Sequence, residues 1–215
     1  MYCLTMKSYS QLGQDVFVYK MLIEGNEPYD GTYIDLACNE PFHNNNTIAL
    51  EKYFGWKGCC IDIEDYADKF TSRTAKFLQL DATAPDFFDI LVAKSNINCE
   101  LVDYLSFDLD SAGLDVIMKF PFDKMKFKVM TVEHDKHVYG QHTQDEMQRI
   151  IQSHGYKLIT QNVYLGSCFI EDWYIHPEYV SEERFAPFVL NKLNAERRYN
   201  EDDPIGYYNN LLDLK

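Results

Sequence analysis

Five apolar runs along the chain end on acids. Asp35 sits in GTYIDLACNEP (31–41), Asp62 in GCCIDI (58–63), Asp81 in LQLDAT, Asp108 and Asp110 in LSFDLDS, and Glu133 with His134 in TVEHD. Carboxylates in such places accept hydrogen bonds from hydroxyls, hold cations or take a proton from a reacting group. A single acid after a strand is ordinarily a cap or turn residue. Five in succession point to one shared site. The spacing from Asp35 to Asp62 is close to that at which dinucleotide-binding folds place an acid on ribose hydroxyls. No G-x-G-x-x-G stands in the first turn, and Glu40 would repel a pyrophosphate there. A nucleoside without phosphates fits these residues better than NAD.

The elements that must hold these acids alternate. Strands are predicted at 32–37, 58–63, 76–80, 102–107 and 127–133, with helix-like stretches between most of them, which implies βαβ units and a parallel sheet. Ligands of such sheets lie outside the carboxyl ends of the strands. NTIALEKYF (46–54) reads as a helix capped by Asn46 and closed before Gly55. TQDEMQRIIQSHG (143–155) reads as one with Thr143 and Glu146 in a capping box and Gly155 as its stop. SQLGQDVFVYKMLI (10–23) reads as an amphipathic helix. The runs 156–164 and 167–175 are too close for a helical crossover and predict an antiparallel hairpin at one edge of the sheet. The fold expected is α/β, a mostly parallel seven-stranded sheet with a C-terminal antiparallel hairpin and helices on both faces.

At 215 residues and 46% hydrophobic content the chain supports one substantial core. We read 1–215 as a single domain with an acidic, aromatic tail over 178–215. The 34 acidic residues against 20 basic ones, a net charge of -14, disfavour nucleic acid and anionic membrane surfaces as partners. With no apolar stretch of spanning length and no leader, a soluble, cytoplasmic protein is expected. None of the six cysteines is spaced as C-x-x-C, so buried, reduced thiols are expected rather than a zinc site.

S-adenosylmethionine is a nucleoside of the kind these residues suit. Its sulfonium is a cation, its ribose matches Asp62, and its adenine amine matches Asp81. Beyond this pattern, the segments SQLGQDVFV, GTYIDLACNEPFHNNNTIALEKYFGWKGCCIDI, VDYLSFDLDSAGLDVIMKFPF, VMTVEHD and EDWYIHP, in this order over about residues 8–177, resemble the FkbM family of S-adenosylmethionine-dependent O-methyltransferases. The resemblance implies a class I Rossmann-like methyltransferase fold and methyl transfer to a hydroxyl of a sugar or glycosylated natural product. Pattern and resemblance together lead us to expect cofactor contacts from Asp35, Ala37, Asn39, Asp62, Ile63, Asp81, Ala82 and Asp108. The chain departs from the family pattern in having Leu36 for a Gly, Asp62-Ile63 for Glu-Pro, and Asp110-Ser111 for Glu-Gly.

A sugar hydroxyl needs a base within reach, or a metal that lowers its pKa. Two arrangements follow. Asp108, Glu133 and His134 hold Mg²⁺ or Mn²⁺, or His134 or Asp110 acts as base without a metal, beside Asp108. Gln11, Gln14 and Asp15 match the family's opening motif and could close over the cofactor, or form the polar face of a surface helix; Asn46 could face the cofactor, or serve only as the cap of its helix. Trp173 with Tyr174, and His43, are candidates for a sugar platform, although core packing also accounts for Trp173. The alternative is a domain that binds S-adenosylmethionine without turnover. Fusion to, or association with, glycosyltransferases would supply the acceptor locally.

Overall fold

The computed structural model describes residues 6–26, 28–165 and 168–189; Cys3, Gly166 and the tail from 190 to 215 lie outside them. One sheet contains β1 (Thr32–Leu36), β2 (Lys57–Asp62), β3 (Lys76–Gln79), β4 (Leu101–Phe107), β5 (Lys126–Glu133), β6 (Lys157–Leu165) and β7 (Cys168–Ile175). Their order is β3-β2-β1-β4-β5-β7-β6, with β1 to β5 parallel and β7 antiparallel to both of its neighbours. The five parallel strands and the hairpin stand where the apolar runs place them.

These runs form strands because both faces of the sheet are covered, so successive residues can all be apolar. Tyr33, Cys60, Tyr104, Val129 and Trp173 face one core, built with Phe17, Leu50 and Phe185. Their neighbours Ile34, Cys59, Leu105, Met130 and Tyr174 face the other, built with Phe87, Leu91, Ile117 and Ile151. That alternation is the two-residue period of a strand. The helices are α1 (Gln14–Val18), α2 (Ile48–Phe54), α3 (Phe87–Lys94), α4 (Gly113–Lys119), α5 (Lys136–Tyr139), α6 (Gln141–Ser153) and α7 (Glu182–Phe185). Among the described residues no helix is long and apolar enough to cross a membrane.

Three helix expectations need correction. The predicted helix over 10–23 begins only at Gln14, after Gly13 at φ 84°, and all five residues of α1 are buried. It is a core element without a solvent face, and it relaxes into a wider turn over Tyr19–Ile23. At α2 the capping side chain belongs to Asn45, whose Oδ1 accepts from the Thr47 and Ile48 N–H groups at 3.1 and 3.0 Å. Gly55 closes that helix in a left-handed conformation, as the sequence suggests. Helix α6 starts at Gln141, because the short α5 turn delivers the chain there. Glu146 pairs with Arg149 at 2.6 Å and makes no capping box.

The loop from β1 to α2 is set by one buried cation. Arg73, 7% exposed, donates through Nε to Glu51 Oε2 at 2.9 Å, and through Nη1 to the Pro41 carbonyl at 2.7 Å and Asn45 Oδ1 at 3.2 Å. Its Nη2 donates to Tyr33 Oη at 2.9 Å and Thr47 Oγ1 at 3.2 Å. Gly58 makes room for the Tyr33 ring, since a Cβ there would fall 2.2 Å from it. Removing one partner of a buried pair strands the other charge. Arg73→Met should therefore lower the free energy of unfolding by roughly 3–5 kcal/mol in urea titrations. The double variant with Glu51→Leu should recover most of that loss, and a double variant as unstable as the single one would refute the account.

Candidate functional site

Strand order reverses between β1 and β4, and the cleft opens at the carboxyl ends of the strands around that point. Chain direction changes sharply there. Ala37 and Asn39 sit at φ 58° and 47°, a left-handed conformation that side chains other than Gly adopt at a cost. The Cys38 N–H still donates to the Ile61 carbonyl at 3.0 Å, extending the β1–β2 pairing one step past the strand. Asp62, the last residue of β2, accepts the Asn39 N–H on Oδ2 and the Glu64 N–H on Oδ1, each at 2.9 Å. The acid at the second strand end thus holds the elbow at the end of the first.

The other acids differ in setting. Asp35 is 2% exposed and accepts from the Thr47 hydroxyl at 2.9 Å; burial pushes its pKa up to about 6 against the hydrogen bonds from Ser106 and Thr47. Asp81 is exposed and is held below the usual carboxylate range by the hydroxyl and N–H of Thr83, at 2.7 and 2.8 Å. Asp108 follows β4 directly. Burial, reinforced by Asp110, Asp35, Asp135 and Asp62, raises it to about 7. Asp110 stands at φ 46° and Glu133 ends β5. One carboxylate oxygen from each of Asp108, Asp110 and Glu133 lies within 4.8 Å of the others.

A cavity of about 600 Å³ takes in all of these acids, with Ala37, Asn39, Ile63 and Ala82 on its walls. Gln11, His43 and Asn46 line it as well. Among the described residues no lysine or arginine does. Ile63 is 62% exposed, an apolar side chain beside the Asp62 carboxylate.

His134 is not part of this group, which corrects its assignment as metal ligand or base. Its Nδ1 accepts the Lys136 N–H at 3.1 Å, so Nε2 carries the hydrogen, 3.5 Å from Asp172 Oδ1 and beside Gln144 Nε2 at 3.1 Å. Gln144 comes from α6, packed under the strand end, and is fully buried. The place given to the imidazole at the cleft belongs to Asp110. Asp15 and Gln14 also turn inward: Asp15 accepts from the hydroxyls of Ser8 and Ser10, both at 2.7 Å, and Gln14 accepts the Leu12 N–H at 2.9 Å. Trp173 is fully buried against Phe17, ring centroids 4.8 Å apart, and is no sugar platform.

Glu171 escaped the sequence reading. It faces Glu133 across the β5–β7 ladder and is 5% exposed. Burial lifts its pKa to about 8 against hydrogen bonds from the Trp173 indole and Gln14, with Asp108 and Asp172 adding to the rise. An acid inside the apolar run SCFIEDWYI was the available signal. It lies mid-strand, away from the strand ends that carry the other acids.

No protein-family model matches the chain, and no curated protein matches it in sequence. Solved structures do. Human methyltransferase-like protein 13 in complex with SAH superposes at TM-score 0.52 and 11% identity over 88% of this chain and 93% of its own. Human methyltransferase 10 domain containing protein gives 0.51 and 14% over 76% and 79%. Spermidine synthase from Thermotoga maritima gives 0.51 and 12% over 96% and 73%. With its strand order and its antiparallel C-terminal hairpin, this chain has the class I methyltransferase, Rossmann-like fold.

Proposed function

We propose that the chain is an S-adenosylmethionine-dependent O-methyltransferase of the FkbM kind, acting on a hydroxyl of a sugar or glycan. The observation that carries this reading is the cleft at the switch point, whose wall gathers the strand-end carboxylates with no lysine or arginine among the described residues. Such a wall accepts hydrogens from a polyhydroxylated ligand and attracts a sulfonium, while it repels phosphate.

The residues fit the cofactor. A carboxylate has about four lone-pair positions, and Asp62 gives only one per oxygen to the backbone, so it can also accept two ribose hydroxyls. Ile63, Ala37 and Ala82 supply apolar wall for the base, Asp81 an acceptor for its amine, and Asn39 and Asp35 complete the elbow. When bound, S-adenosylmethionine supplies the electrophilic methyl group. In the arrangement without a metal, Asp108 orients the acceptor hydroxyl and takes its proton. Asp108, Asp110 and Glu133 offer three hard oxygen donors and fit Mg²⁺ or Mn²⁺, an ion that would lower the pKa of the hydroxyl. A fold that binds the cofactor without turnover is the competing reading, and measured methyl transfer separates the two.

Three measurements test this. Calorimetric titration with S-adenosylhomocysteine should give micromolar binding, about −8 kcal/mol, with no binding of NAD⁺. Asp62→Ala should weaken it about tenfold, the size of a lost charged hydrogen bond; unchanged affinity in a folded variant removes the ribose assignment. Glu133→Ala should abolish stimulation of turnover by Mg²⁺ or Mn²⁺ with homocysteine-ligand affinity kept, and wild-type activity indifferent to chelator would leave Asp108 as base without a metal.

A further measurement concerns pH. Asp35, Asp108 and Glu171 have folded pKa values of about 6, 7 and 8, above their ordinary 3.8 to 4.5. The folded state therefore binds more protons than the unfolded chain between those limits, and stability is lost as pH rises through them. Melting temperature in chelator should fall from pH 5 to pH 8. Glu171→Gln should flatten the upper part of that fall, and an unchanged slope would contradict the burial of an ionising Glu171.

A further inference from the structure

Asn46 has a side chain that neither the fold nor the chemistry above uses. It precedes α2, lines the cleft, and donates from Nδ2 to Ser106 Oγ at 3.0 Å. Ser106 is fully buried in β4, in register with Asp35 of β1, and its hydroxyl bonds the Asp35 carboxylate. A carboxylate only accepts, so the single hydroxyl hydrogen of Ser106 goes to Asp35 and the serine oxygen accepts from Asn46. This fixes the orientation of the amide. Its Oδ1 is buried, and it alone among the buried side-chain polar atoms of the described residues has no protein hydrogen-bond partner.

A buried carbonyl oxygen ordinarily meets a donor. The donor suited to this one is cationic, because Asp35 and Asp108 share the β1–β4 seam, where the Asp108 N–H donates to the Leu36 carbonyl at 3.3 Å. Asp62, at the end of β2, and Asp81, in the loop after β3, where the nucleoside is read, stand on the far side of β1. One ligand lying across the strand ends with its base over β3 and its ribose over β2 brings its remaining part to this seam.

We propose that Asn46 Oδ1 accepts a hydrogen bond from the α-ammonium group of the amino-acid end of S-adenosylmethionine, making Asn46 a cofactor-positioning residue held in place through Ser106 and Asp35. The inference rests on the cofactor reading above and names the residue that reads the end of the cofactor opposite the base.

The test compares S-adenosylhomocysteine with its desamino analogue by calorimetry, on the wild type and on Asn46→Leu. The wild type should prefer the amine-bearing ligand about tenfold, the scale of one hydrogen bond to a charged group, and Asn46→Leu should bind the two equally. The ratio within each protein reads the interaction whether or not the variant is somewhat destabilised. Equal preference in both proteins, or none in the wild type, overturns the role of Asn46 and leaves the cofactor reading standing. Binding of neither ligand to the wild type overturns the cofactor reading and this inference with it.

Discussion

The guanidinium of Arg73 and the carboxylate of Glu51, at 0% and 8% side-chain exposure, join pieces of chain that would otherwise have no reason to meet. A buried pair gains nothing over water unless the remaining donors and acceptors are also matched. Here they are. Arg73 reaches the Pro41 carbonyl, Asn45, Thr47 and Tyr33, and Glu51 takes the Thr74 N–H at 2.7 Å besides. Burial pushes the Glu51 carboxyl upward, yet the Thr74 N–H and Arg73 outweigh it and hold it below its ordinary value. The approach to β3, the start of α2 and the elbow after β1 are thereby locked to one another. Asn45 passes the constraint on, since its Nδ2 holds the Cys38 and Glu40 carbonyls, each at 3.2 Å. The cleft owes its near wall to a cation that never touches it.

What the sequence disclosed follows from what kind of constraint was at work. Strands buried on both faces must be apolar throughout, so TYIDL, GCCID and KVMTVE were visible at once. The register of those strands then brought Asp35, Asp62, Asp81, Asp108 and Glu133 to one cleft. The helices were less legible, because their starts are set by contacts distant in sequence. Asn45 and Asn46 are adjacent and identical in type, and only the placement of Arg73 makes the first the cap and the second a cleft residue. His134 failed for the same reason. Its neighbour Glu133 is a cleft acid, but Gln144 and Asp172, both far along the chain from it, draw it into the core. Arg73 itself gives no sign in the sequence, being one charge among the polar residues of TSRT ahead of β3.

The acids that look alike in the sequence divide by solvation. Asp81 is open to water and stays readily ionised. Asp35 and Glu171 are enclosed, and Asp108 stands between, with four other carboxylates acting on it. Placing like charges together across one cleft is unfavourable for the fold alone, and it makes any cationic ligand a source of stability.

The left-handed backbone at Ala37 and Asn39 is strain held by hydrogen bonds to β2, from the Cys38 N–H to the Ile61 carbonyl and from the Asn39 N–H to Asp62. A recess whose outline is fixed in this way loses little chain entropy when it is filled. A ligand placed there would meet an outline already formed, with little of its binding free energy spent on ordering the elbow.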